Sequence, residues 1–301
     1  MNDSTSFHFM PSGPFDLAHA NGHFGGWPAP PDDPEAIVMA FPLEGLDASA
    51  AVVLRQGDDG SVSGEVRGCP PALAEVAQRQ ALAAISLDVD ASGWPLVGER
   101  DPVVGELQSD YRHLRPVLFH SPYEAAAAFI IGHRIQIKQT RVLRARIAAE
   151  TGTAVNIGGE GFAAFPTPRQ LLEAPELPGI SSIKQERLRS LAQAAQGGML
   201  RRDRLRERAP ERALAELEAL PGIGPFFAQG ILYRGAGVVD GLSDDAITHF
   251  AVTERYRLGS PADRARTLEI AESWRPFRGW VVVLLHVWAR GRGGLPPREK
   301  R

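Results

Sequence analysis

The chain has 301 residues, a formal net charge of −3, 44% hydrophobic and 23% charged residues. That fits two domains of ordinary globular composition and excludes a disordered or fibrous polypeptide. A single cysteine, Cys69, excludes a disulfide framework, a thiolate zinc site and a four-cysteine iron–sulfur cluster. The longest apolar run, 280–289, contains His286 and is about half the ~20 residues that a membrane helix needs. The N-terminal stretch has neither the basic cluster nor the apolar run of a signal peptide, so a reduced, cytoplasmic protein without a membrane partner is expected.

Charge is unevenly placed. Residues 1–130 carry 6 Arg against 18 Asp+Glu, a net of −12, and residues 131–301 carry 27 Arg+Lys against 18 Asp+Glu, a net of +9. Such asymmetry points either to an anionic partner such as nucleic acid for the basic half, or to a solvated arginine-rich surface.

Residues 1–36 read as irregular, with a short helix near 15–21. Segments 37–41, 50–55 and 61–67 read as strands, the last two joined by the turn Gln56-Gly57-Asp58-Asp59-Gly60. Segment 70–88 has a helical pattern. The expected fold class is α+β, with an antiparallel sheet and helices in residues 1–112 and only helices in 113–301.

The helix starts of the second part are explicit. Ser121-Pro122-Tyr123-Glu124 and Thr167-Pro168-Arg169-Gln170 place a hydroxyl at N-cap, Pro at N1 and Glu or Gln at N3, and Ser260-Pro261-Ala262-Asp263 follows the same grammar. Helices are expected over 122–150, 168–175, 182–196, 210–219, 225–234, 246–257, 261–273 and 277–290, with Gly197-Gly198 and Gly291 as stops.

The most informative stretch is Leu220-Pro221-Gly222-Ile223-Gly224-Pro225. Leu214, Leu217 and Leu220 share one helix face before it, and Ala228 and Ile231 point back from a second helix. Gly222 and Gly224 allow positive φ and close approach of a ligand. Outward amides at the start of the second helix would hold a phosphate diester without reading sequence. An ordinary helix–helix connection would use the same glycines for packing.

With Ala228, this stretch resembles the DNA-contacting hairpin of the helix-hairpin-helix DNA glycosylase superfamily. The run from Trp274-Arg275-Pro276-Phe277-Arg278 to Leu284-Leu285-His286-Val287-Trp288 is similar to the last core helix of the 3-methyladenine DNA glycosylase II branch. Ala128-Phe129-Ile130-Ile131-Gly132 and Phe165-Pro166-Thr167-Pro168 resemble its earlier helices. The resemblance implies an N-terminal α+β scaffolding domain (1–112) and an all-helical glycosylase domain (113–301). It also implies a monomer that acts on double-stranded DNA containing a damaged base. The base flips out of the stack and its N-glycosidic bond is hydrolysed.

The superfamily carries a catalytic Asp at the start of the helix after the hairpin, and here that place is held by Asp244-Asp245. Counting back eleven residues from Tyr256 selects Asp245; counting forward twenty from Gly224 selects Asp244. The other carboxylate, or both, would cap the following helix. The resemblance further implies DNA contacts through Leu220, Gly222, Ile223, Gly224 and Arg134, and a base pocket with Phe226, Trp288 and His133. A core role is the alternative for each aromatic. Phe226 stands where lyase members have a Schiff-base lysine, and no Lys occurs in 185–299, which implies no lyase step. No cofactor and no metal are implied, although the family's hairpin carbonyls can hold a monovalent cation. The other functional readings are a non-catalytic helix-hairpin-helix DNA-binding protein, a superfamily glycosylase for another lesion, and a helical interaction protein.

Overall fold

The computed structural model describes residues 4–23 and 27–291. Four antiparallel strands come first in the chain: β1 (Thr5–Phe9), β2 (Ile37–Pro42), β3 (Ser49–Gln56) and β4 (Val62–Arg67), in spatial order β1-β4-β3-β2. Helix α1 (Leu17–His23) precedes β2, and α2 (Ala74–Ala84) follows β4. Strand β1 lies in the stretch read as irregular. Its pattern is legible afterwards as alternation, since Phe7 and Phe9 pack on the sheet core while neighbouring residues face out. Met39, Phe41, Val52, Leu54 and Val66 form one face with Ala77 and Ala81 of α2.

The helices that follow are α3 (Trp94–Arg100), α4 (Pro102–Asp110), α5 (Pro122–Gly132) and α6 (Ile137–Thr151). The expected 122–150 helix is broken: the chain turns through His133–Gln136, and Arg134 adopts φ 60°. Ser121 caps α5 by accepting from the Glu124 N–H at 3.1 Å, as its sequence grammar predicts. Asp101 caps α4. Its second carboxylate oxygen accepts from the Tyr256 hydroxyl at 2.7 Å, the Ser273 hydroxyl at 2.7 Å and the Trp274 indole at 3.1 Å.

The expectation of helices alone after residue 112 needs one correction. Strands β5 (Thr153–Ile157) and β6 (Glu160–Ala164) form a hairpin closed by Gly158 and Gly159, at φ 59° and 90°. Two glycines at positive φ make the tight turn that suits strand twist. Val155, Ile157 and Phe162 of this hairpin cover the second face of the sheet, against Val38, Ala51 and Val53. This is why β2 and β3 read as continuous apolar runs rather than alternating ones.

Beyond it lie α7 (Pro168–Glu173), α8 (Ser182–Gln196), α9 (Arg202–Glu207), α10 (Pro210–Glu218), α11 (Pro225–Gly230), α12 (Ala246–Arg255), α13 (Arg264–Ala271) and α14 (Arg278–Gly291). Thr167 and Gln170 form a complete capping box. Helix α13 starts later than expected: Asp263, not Ser260, caps it, accepting from Arg266 N–H at 2.8 Å. Helix α11 runs on into a wide π turn, Ile231–Ala236, which ends at Gly237 with φ 73°.

Two cores fill the helical part. One joins α5, α8, α10 and α11 through Ile130, Leu188, Leu191, Leu217, Ala228 and Ile231. The other joins α3 and α4 to α12 and α14 through Trp94, Leu107, Val252, Trp280 and Leu285. It therefore spans both sides of residue 112.

Among the described residues, carboxylates of the acidic half meet arginines of the basic half in five ion pairs: Glu44–Arg202 at 3.3 Å, Asp47–Arg169 at 3.1 Å, Asp88–Arg206 at 2.5 Å, Glu106–Arg255 at 2.7 Å and Glu124–Arg144 at 3.4 Å. Part of the charge asymmetry is thus answered within the chain. Among the described residues, no helix is long and apolar enough to cross a membrane.

Candidate active site

Helices α10 and α11 flank the hairpin. Leu220 and Ile223 are buried, and the Ile223 N–H donates to the Leu220 carbonyl at 3.0 Å. Their side chains belong to the core, so only their backbone groups are available to a partner. Gly222 has φ 84°, as expected of a tight turn. Gly224 differs from expectation: it is extended, with φ −100° and ψ −179°, and open space lies where a Cβ would be. Its missing side chain keeps the surface bare rather than permitting a left-handed turn.

A cavity of ≈ 370 Å³ opens beside the hairpin, a size suited to a small ligand. Its wall includes Phe226, Gln229 and Gly230 of α11, Tyr233 and Arg234 of the π turn, Phe129 of α5, and Trp280, His286 and Arg290 of α14. Asp245 also lines it, whereas Asp244 does not. Phe226 is 65% exposed and stands at the rim. A larger depression, ≈ 750 Å³, is lined only by residues between 15 and 60 and shares no residue with this site.

Asp245 is the N-cap of α12. Its Oδ1 accepts from the Ile247 and Thr248 N–H groups, both at 2.9 Å, and its Oδ2 accepts from the Thr248 hydroxyl at 2.9 Å. His286 Nε2 lies 3.3 Å from Oδ1 and 3.0 Å from Thr248 Oγ1. Because the Thr248 proton is directed at Asp245, Thr248 Oγ1 is an acceptor toward the ring, which places the hydrogen on Nε2. The Asp245 side chain is 11% exposed. Burial alone would raise its pKa, but the hydrogen bond and charge of His286 and the Thr248 donors outweigh it and hold the carboxyl far below the ordinary range. It is an ionised, positioned carboxylate on a cavity wall. Asp244 is engaged elsewhere, with His249 Nε2 at 3.1 Å and Arg264 at 3.0 Å. The Asp244 N–H donates to Gln229 Oε1 at 3.0 Å, which ties the acidic pair to α11.

The other expected pocket residues fall outside the cavity. Trp288 stacks on Phe250 at 6.5 Å, with Arg255 over its ring at 5.5 Å, and is buried in the second helical core. His133 meets Phe227 edge-on at 5.8 Å, and Phe227 stacks on Phe129 at 5.1 Å. Phe129 lines the cavity, and His133 and Phe227 do not. Arg134 is exposed on the α5–α6 turn. Sequence reasoning missed His286, 38 residues from Thr248, and the cavity-lining Phe129, Tyr233 and Arg234. The sequence motif around His286 marks the last helix, but nothing local indicates which side of α14 faces the cavity. No group of three or more His, Cys, Asp or Glu suited to a metal occurs among the described residues.

No family model matches the chain. Over 184 residues it is 27% identical to a "Probable bifunctional transcriptional activator/DNA repair enzyme AlkA" of Mycobacterium tuberculosis, strains CDC 1551 / Oshkosh and ATCC 25618 / H37Rv. That match covers 59% of this chain and 36% of the relative, so the chain spans about a third of the length of the curated relatives it matches. Among solved structures it is similar to a 3-methyladenine DNA glycosylase from Archaeoglobus fulgidus, at 22% identity and TM-score 0.77, covering 95% of this chain and 98% of the other. It is also similar to an 8-oxoguanine glycosylase/lyase from Clostridium acetobutylicum in complex with double-stranded DNA, at 16% identity and TM-score 0.70, covering 98% and 99%. The chain shares the α+β fold of these two DNA glycosylase structures.

Proposed function

We propose that this chain is a monofunctional DNA glycosylase of base excision repair. It flips an alkylated base out of double-stranded DNA into the ≈ 370 Å³ cavity and hydrolyses the N-glycosidic bond. One observation carries the reading: the ionised Asp245 carboxylate lines the same cavity as α11, the helix that begins at the hairpin. A backbone phosphate held at Gly222–Gly224 would bring the flipped sugar toward that carboxylate. As the base departs, positive charge grows on the deoxyribose, and a fixed negative group in a partly dry site stabilises it. Phe226, Phe129 and Tyr233 offer faces for stacking of the base. Asp244, paired with Arg264 and His249, serves the local fold.

The absence of a lyase step is supported by lysine placement. Among the described residues, no lysine lines the cavity, and Lys184 donates to the carbonyls of Ile131 and His133 at 2.7 and 2.9 Å. Residues 1–112 act as a scaffold for the helical unit 113–301, and the protein works as a cytoplasmic monomer without a cofactor.

A second reading of the substrate rests on Arg234 and Arg290, which both line the cavity. Two guanidinium groups favour a neutral base that presents carbonyl oxygens over a cationic alkylated one. Incubation with duplexes carrying 3-methyladenine, 7-methylguanine, hypoxanthine or 8-oxoguanine, followed by chromatography of released bases, separates the two. Release of the methylated bases supports the first reading, release of hypoxanthine or 8-oxoguanine without the methylated bases supports the second, and release of none overturns both. Strand cleavage without alkali would refute the monofunctional assignment.

A further inference from the structure

We infer that α8 supplies a phosphate clamp for duplex DNA, in which Arg187 closes on the backbone beside the hairpin and Arg134 closes on it at the α5–α6 turn. This rests on the glycosylase reading above. Most arginines of the helical part are consumed by carboxylates, such as Arg144 by Glu124, Arg204 by Glu216 and Arg278 by Asp240. Among the described residues, Arg134 and Arg187 have no ion-pair partner; Arg187 lies against Gly222 of the hairpin, and Arg134 is exposed on the α5–α6 turn.

The geometry joins them through α8. A Cβ built on Gly222 would meet the Arg187 side chain, with Cδ at 2.5 Å and Nε at 2.9 Å. The glycine therefore serves two ends: it permits φ 84°, and it admits the arginine stem against the hairpin backbone. Lys184, three residues earlier and on the same helix face, sends its ammonium to the carbonyls of Ile131 and His133, at 2.7 and 2.9 Å. Those carbonyls close the end of α5, where a cation is favoured by the helix dipole. Lys184 is thus a positioning residue. It fixes the turn in which Arg134 sits at φ 60° with its side chain in solvent. Burial lowers the His133 pKa, and Arg134, Arg187 and Lys184 lower it further, as expected where cations converge without a carboxylate. A guanidinium pair of this kind matches phosphate oxygens, which present paired acceptors and carry no sequence information.

The test is the salt dependence of binding to a duplex with a stable abasic analogue. Each phosphate neutralised contributes about 0.9 to the slope of log K against log salt. We expect Arg187→Ala and Arg134→Ala each to lower the slope by about 1 and to weaken binding several-fold at physiological salt. Arg187→Lys should retain the slope. Lys184→Met should remove most of the effect of a further Arg134→Ala change, since the turn no longer presents that side chain. A thermal melt of each variant checks folding. If Arg187→Ala leaves slope and affinity unchanged while the parent binds with a steep slope, the clamp is refuted and the glycosylase reading stands. If the parent shows no salt-sensitive binding to the abasic duplex, the glycosylase reading falls and takes the clamp with it.

Discussion

Asp245→Asn removes charge with little change of shape, and so isolates the electrostatic part of the proposed mechanism. The retained Oδ1 still accepts from the amides of Ile247 and Thr248, both at 2.9 Å in the parent, and Asn is as good an N-cap as Asp. The cap is therefore kept, while the part of the stability that comes from the charge beside His286 and from the Thr248 hydroxyl bond to Oδ2 is lost. The loss in rate is larger. Two unit charges about 4 Å apart at an effective dielectric near 20 interact by ~4 kcal/mol. The side chain is 11% exposed, so that regime is the appropriate one. At 1.36 kcal/mol per tenfold, about 10³-fold of the excision rate should disappear. Single-turnover release of a methylated base measures this directly, with binding to abasic duplex as the control for DNA affinity. A loss below tenfold in Asp245→Asn, or a larger loss in Asp244→Asn, would refute the assignment of the carboxylate.

Four further outcomes follow from the same geometry. His286→Leu should slow excision and leave abasic-duplex binding near parental, while His286→Gln, which keeps an N–H donor, should recover part of the rate; equal loss in both would show that the ring matters only for packing. Gly224→Ala should leave the melting temperature unchanged, because φ is −100° and the space is open, yet weaken DNA binding. Gly222→Ala should cost about 1 kcal/mol or more in stability, as the residue must keep positive φ and displace Arg187. Asp245 should also shape acid stability. Its folded pKa is depressed, so its contribution is fully present above the unfolded value of about 3.9 and is lost as the pH falls from there toward the folded value. Urea unfolding midpoints should then fall less steeply with acid in Asp245→Asn than in the parent over that window.

How much of this was readable beforehand depended on range. Caps at Ser121 and Thr167 were plain because a cap is a contract among four consecutive residues. The α10–α11 turn was plain for the same reason, and the acidic pair was narrowed to two candidates by spacing. Asp263 displaced Ser260 because either residue can cap, and the choice is settled by nearby packing: Ala262 N–H is already bonded to Thr253 Oγ1 at 2.8 Å. The β5–β6 hairpin carried its own signal in Gly158-Gly159, but the strands are five residues each and stood among strong helix starts. The charge contrast between halves leaves an external anion and a solvated surface both open, and neither reading anticipates that Asp47, Asp88 and Glu106 meet arginines more than a hundred residues away. Trp288 lies two residues past His286, about 200° around α14, so with His286 on the cavity wall the Trp288 ring stands in the second helical core, a phase that the sequence motif alone does not give.

The second helical core has a practical corollary. Trp94 meets Trp280 edge-on at 5.5 Å and Phe277 at 5.5 Å, and Arg100 donates to the carbonyls of Ser273 and Arg275. The opening third of the polypeptide thus roofs the element that carries His286. Expressing a fragment that starts at residue 113 would strip that roof and leave indole surface bare to water. Such a fragment should precipitate or bind hydrophobic dyes, and the two pieces should regain order only when co-expressed. Ribosomal synthesis from the N-terminus would have the roof ready before the helix beneath it emerges.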